Sequence, residues 1–177
     1  MNESKSDLAR QNHEQVRRQY AWLAASGSQV SKREDSIARG RAEFDEFCKL
    51  PFVQQLGVDV GNGQVVVGTT CAYLRKTKEE PWRIIGEFIV TMKWMPAGFC
   101  CYNNTSTVGG FHHPHVNTDG TMCISNRQEI LLLLADGNFL EAFKIIWTAL
   151  NTTNGVPYPD AAPDKWPELR PDLKEEA

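Results

Sequence analysis

The chain has 177 residues, 41% of them apolar and 23% charged, with 19 Lys and Arg against 22 Asp and Glu for a net charge of −3. At about 150 residues per domain this length suits one folded unit with terminal extensions, and the apolar share argues against wholesale disorder. The charge balance argues against a general nucleic-acid binder or a membrane-surface protein, both of which need a basic face, and no run approaches the ~18 apolar residues of a bilayer span.

The N-terminal stretch MNESKSDLARQNHEQ lacks the apolar core of a signal peptide. Residues 5–24 place Leu8, Val16, Tyr20 and Leu23 close to helical spacing, which predicts one amphipathic helix. The stretch ASGSQV, residues 25–30, breaks it. Ser31-x-x-Glu34 then reads as a capping box, each side chain satisfying the other residue's free backbone N–H. A second helix follows with Ile37, Arg41, Phe44, Phe47 and Cys48 recurring every three or four residues, and Pro51 either ends it or sits in its last turn.

The periodicity next switches to two. Leu56, Val58 and Val60 alternate with polar or small residues, and Gly61-Asn62-Gly63 supplies a hairpin turn. Val65, Val67, Thr69, Cys71 and Tyr73 form one face of a second strand. In a third, Trp82, Ile84, Gly86, Phe88, Val90, Met92 and Trp94 oppose Arg83, Glu87, Thr91 and Lys93. This alternation predicts an antiparallel sheet with one buried face, and Phe99–Tyr102 suits a short fourth strand. After an irregular stretch, residues 103–125, Ser125 is placed to cap a helix that buries Ile130 to Leu134. Asp136-Gly137 interrupts it, and a last helix turns Leu140, Phe143, Ile146, Trp147 and Leu150 inward. Five of the nine prolines lie in the final 23 residues, which suggests an extended arm. The expected class is α+β: N-terminal helix, antiparallel β-meander, long active-site loop and crossover helix. The divisions are an N-terminal helical extension (1–30), a core (31–154) and the proline-rich arm (155–177).

Twenty-three irregular residues in a small domain point to function, because long ordered loops usually carry it. This loop holds three of the four histidines, in FHHPHVNTDGTMC, ending at Cys123. Five cysteines without a CxxC spacing make a disulfide framework a poor account of them and suggest a reducing, cytoplasmic setting. Cys123 stands just ahead of the expected helix start, where the helix dipole would favour the thiolate. Cys48, Cys71, Cys100 and Cys101 fall on apolar faces or strand ends and read as core or neutral.

The run His113-Pro114-His115-Val116-Asn117-x-x-Gly120-x-Met122-Cys123 resembles the active-site signature of ubiquitin-conjugating enzymes, with the His-Pro to Cys spacing matched without a gap. The order of elements over roughly residues 33–150 is similar as well. The resemblance implies that Cys123 accepts the C-terminus of ubiquitin or a ubiquitin-like protein as a thioester from an activating enzyme and passes it to a lysine or other amine, with a target protein and in some cases a ligase as further partners. It implies no cofactor and no metal in this chain, with ATP consumed by the activating enzyme; nucleic-acid and membrane partners are already disfavoured by the charge balance. It makes His113 and Pro114 keepers of the loop's shape.

The family's Asn, which supports the loop and steadies the oxyanion, aligns with His115. An imidazole N–H can donate to an oxyanion, and it would titrate near neutrality. The family's acidic gate residue has Asp160 as a loose counterpart, Ser125 replaces an acidic residue, and the two final helices give way to the proline arm. The basic residues Lys32, Arg33, Arg39 and Arg41 suit either a docking face for the activating enzyme or a solvated helix face.

Three other accounts compete: a zinc site of His112, His113, His115 and Cys123; a cysteine peptidase; and a catalytically inactive module of the same fold that binds a ubiquitin-like protein. The proline within the histidine cluster and the lack of a knuckle spacing weigh against zinc. No histidine follows Cys123, which excludes the papain-like order.

Overall fold

The computed structural model describes residues 2–27, 33–152 and 157–169. In chain order the elements are α1 (Asn2–Gly27), α2 (Arg33–Phe47), β1 (Val53–Asp59), β2 (Gln64–Leu74), β3 (Arg83–Trp94), β4 (Ala97–Asn103), α3 (Arg127–Ala135) and α4 (Phe139–Leu150), followed by two single 3-10 turns at Pro159–Ala161 and Pro163–Lys165. The four strands form one antiparallel sheet in the order β1-β2-β3-β4. The class is therefore α+β, as the periodicities predict.

Helix α1 is part of the core: Tyr20, Ala21, Leu23 and Ala24 are buried at helical spacing. Its aromatic partner face comes from α2, where Tyr20 packs on Phe44 and Phe47. The buried side of α2 runs through Gly40, Phe44 and Phe47, whereas Arg41 and Cys48, expected on that side, are exposed. Ser31 of the expected capping box lies outside the described residues, as does Lys32. Glu43 joins three helices, accepting the Tyr20 hydroxyl at 2.8 Å and the Leu140 backbone N–H at 2.7 Å. Burial raises the pKa of this carboxyl.

The sheet departs from strict alternation, and the departures are local. In β2, Val65, Val67 and Thr69 face inward as expected, but the register with β3 shifts between Gly68 and Cys71 and again between Ala72 and Tyr73. An extra residue on one strand exchanges the two faces. Ala72 and Leu74 are therefore buried, and Cys71 and Tyr73 turn to the half-exposed side. On β3 the exchange falls at Gly86, whose φ of 128° only glycine adopts readily. Phe88, Val90 and Met92 hold the expected face, while Ile85 replaces Ile84 in the core. Strand β4 is longer than the four residues expected.

The core lies between the inner sheet face and the helices. From α4 it receives Phe139, Leu140, Ala142, Phe143, Ile146 and Leu150; Trp147, expected inward, is half-buried and stacks on Phe52 at 5.0 Å. From α3 it receives Ile130 and Leu134 fully buried and Leu131 and Leu133 partly buried, whereas Leu132, expected to be buried, is 60% exposed.

The proline-rich segment does not extend away. Trp166 is fully buried, with its indole N–H on the Ala161 carbonyl at 3.1 Å. Beyond the end of β4, the segment pairs with β3: Ile84 N–H donates to the Pro167 carbonyl and Leu169 N–H to that of Trp82, both at 2.8 Å. Arg83 fastens the join through the Trp166 carbonyl and the Glu168 carboxylate. Proline rigidity lowers the entropy lost on docking, and one buried indole supplies the apolar anchor. No helix among the described residues is long and apolar enough to cross a membrane.

Candidate active site

The loop between β4 and α3 is held at its start by Asn103. Its side-chain amide donates to the Ile85 and His112 carbonyls, and its oxygen accepts the Thr105 and Ser106 N–H groups. Its backbone N–H donates to His112 Nδ1. Replacing Asn103 with Ala strands these groups; the expected loss is about 2 kcal/mol, read as a lower urea midpoint at unchanged slope.

The His-Pro-His segment is built from backbone pairs. Val116 N–H donates to the His113 carbonyl, Asn117 N–H to Thr121, and Cys123 N–H to the His115 carbonyl at 2.9 Å. Val116 and Met122 pair across this narrow ladder and are buried, fastening the loop to the core. The turn at its tip needs Gly120, with φ of 80°, and a Cβ there would lie 2.6 Å from the Tyr102 ring. The Gly120 carbonyl accepts the Cys101 N–H, tying the tip to β4.

His113 is completely buried. Its Nδ1 accepts the His115 N–H at 3.0 Å, so the ring proton sits on Nε2 and is donated to the Leu150 carbonyl at 3.1 Å. This carbonyl belongs to the last turn of α4, which makes His113 the bolt between loop and helix. Burial first, and the neighbouring His115 second, push its pKa down to about 3.

His115 is 5% exposed, and burial lowers its pKa from the ordinary 6.5. Its expected titration near neutrality is thus displaced to more acid pH, and the ring is neutral at pH 7. A neutral imidazole retains one N–H donor.

Cys123 is exposed. It and His115 line one open cleft of about 710 Å³, together with Ile124, Ser125 and Asn126 ahead of α3 and Lys144, Ile145, Thr148, Ala149 and Thr152 along α4. Helix α3 begins at Arg127, with Asn126 rather than Ser125 at the N-cap and no side-chain capping bond. Cys123 therefore stands three residues ahead of the cap, outside the turn over which a helix dipole acts. The sequence signal for this wall is the polar series Lys144, Thr148 and Thr152, spaced by four along α4 and just past its end, off the buried apolar face. Lys144 is paired with Glu141 and Glu46.

Asp160 is placed elsewhere. It is exposed in the first 3-10 turn, 3.9 Å from Lys165 Nζ and over Gly109, and is not among the residues lining the cleft. The four proposed zinc ligands are not assembled: both His113 nitrogens and Nδ1 of His112 are engaged within the chain, and no group of three or more His, Cys, Asp or Glu among the described residues is arranged to hold a metal ion.

The arrangement defines an α+β protein with a solvent-facing thiol at the edge of an open cleft and a neutral imidazole in its wall. No family model, curated protein or solved structure matches the chain.

Proposed function

We propose that this chain is a divergent relative of the ubiquitin-conjugating enzymes, carrying ubiquitin or a ubiquitin-like protein as a thioester on Cys123 and passing it to a lysine or other amine of a target. The observation that carries the proposal is the exposed residue Cys123 and the buried His115 lining the same open cleft. An open channel suits a thiol that must meet two large partners in turn. A rigid loop suits chemistry in which positioning outweighs strong acid–base groups. The helix, meander, loop and helix order is consistent with the same family.

Loading exchanges one thioester for another. Cys123 Sγ forms a bond to the carrier's C-terminal carbonyl carbon, the bond from that carbon to the activating enzyme's sulfur breaks, and the thiol proton passes to the departing thiolate. Discharge forms a C–N bond, breaks the C–S bond at Cys123, and transfers one amine proton to the released thiolate. His115 would donate its N–H to the oxyanion formed as the amine attacks. Five free cysteines fit a reducing cytoplasm, which we propose as the setting.

The test is a non-reducing gel of the chain with ATP, candidate activating enzymes and ubiquitin-like proteins. The expected result is a thiol-sensitive adduct that Cys123→Ala abolishes. A folded chain that never forms the adduct with its cognate activating enzyme contradicts the proposal.

A further inference from the structure

The docked segment at residues 157–169 reaches the His-Pro-His stretch of the loop through Tyr158. Tyr158 N–H donates to the Pro114 carbonyl at 2.9 Å, and its ring packs on Phe111 at 5.0 Å. Pro114 stands between His113 and His115, so this bond fixes the peptide joining the two imidazoles. The anchor lies further along the chain: buried Ala161 and Trp166, then the backbone pairs to Trp82 and Ile84. In the described structure the segment therefore spans from the edge of β3 to the middle of the loop. Its span brings a backbone donor to the one hydrogen-bonding group that Pro114 retains, its carbonyl. The loop's other ties run from Asn103 at its start, from His113 to α4 and from Gly120 at its tip to β4; His113 Nδ1 holds the N–H of the Pro114–His115 peptide, and Tyr158 holds its carbonyl.

We infer that Tyr158 is a positioning residue, through which the C-terminal segment sets the direction of the His115 ring in the cleft. The inference rests on the carrier reading of Cys123 for its effect on transfer, and on geometry alone for its effect on the ring. Tyr158 has φ of −61°, the angle proline takes, so Tyr158→Pro leaves that torsion unstrained while its Cδ takes the place of the N–H and pushes the segment off the Pro114 carbonyl. Tyr158→Ala removes the ring and keeps the N–H, and Tyr158→Phe keeps both contacts.

The imidazole carbon–proton resonances of His113 and His115 are followed in ¹³C-labelled full-length chain, alongside urea unfolding. The expected result is a displaced His115 resonance in Tyr158→Pro, a smaller displacement in Tyr158→Ala and the original position in Tyr158→Phe. In chain loaded on Cys123, discharge to free lysine is expected to slow about tenfold in Tyr158→Pro, the scale of a sub-ångström misplacement of a reacting group. An unmoved His115 resonance in folded Tyr158→Pro overturns the inference, whatever the activity. Should that variant fail to fold, an unmoved resonance in Tyr158→Ala overturns it. A shifted resonance with no thioester on any variant upholds the positioning and refutes the carrier function instead.

Discussion

Acidification is expected to unfold this chain through one buried ring. His113 has a pKa of about 3 in the folded state against an ordinary 6.5, because burial and the adjacent His115 disfavour its charge. Between those values the unfolded chain binds a proton that the folded chain refuses. Stability therefore rises with pH: it is fully present above about 6.5 and is lost as pH falls toward 3, at about 1.4 kcal/mol per pH unit. The whole effect is about 4–5 kcal/mol, of which roughly 2 kcal/mol falls between pH 7 and 5. Urea unfolding at pH 5, 6 and 7 measures it, with His113→Gln as the non-titrating comparison. Glu43 has the opposite sign, since its raised pKa stabilises the fold as pH drops, but it is common to both chains and cancels. Parallel pH profiles in the two chains would show that His113 does not carry the acid sensitivity.

The second large effect concerns transfer. His115→Ala is expected to slow discharge of loaded Cys123 to lysine by about 10²–10³-fold, the loss that follows removal of one oxyanion donor. The loop itself should survive, because the two bonds that build it at this position use the His115 backbone, N–H to His113 and carbonyl to Cys123. His115→Asn, which restores an N–H of different reach, is expected to recover much of the rate. Since burial lowers the His115 pKa, the ratio of the two rates should stay constant from pH 7 to 8. Discharge from His115→Ala at the unaltered rate across pH 6–8 would remove the oxyanion role and leave the ring a structural one.

His115 also separates two duties that the family resemblance assigns to a single Asn. Loop support comes from Asn103 and His113, whose side chains bond the backbone at Ser106, His112 and His115. That leaves the His115 ring to the cleft wall. Asn103 was not singled out from the sequence because its partners, Ile85 and His112, are distant along the chain or hidden in an irregular loop.

The amino-acid order alone determined the α+β class, the antiparallel meander and the presence of a long loop rich in histidine and ending at Cys123, because each rests on contacts between near neighbours. Periods of two and 3.6, glycines at turns and the run from His113 to Cys123 are all local properties. Tertiary structure decided the rest. The bulges beyond Gly68 exchanged Cys71 and Tyr73 for Ala72 and Leu74 on the inner face, because register depends on the partner strand. Burial of His113 and His115 moved their titration away from neutrality, a property of the surroundings and not of the residues. The return of the proline-rich segment to β3 and Pro114 could not be read from composition, since docking depends on an edge left open by the end of β4 and a pocket that fits Trp166.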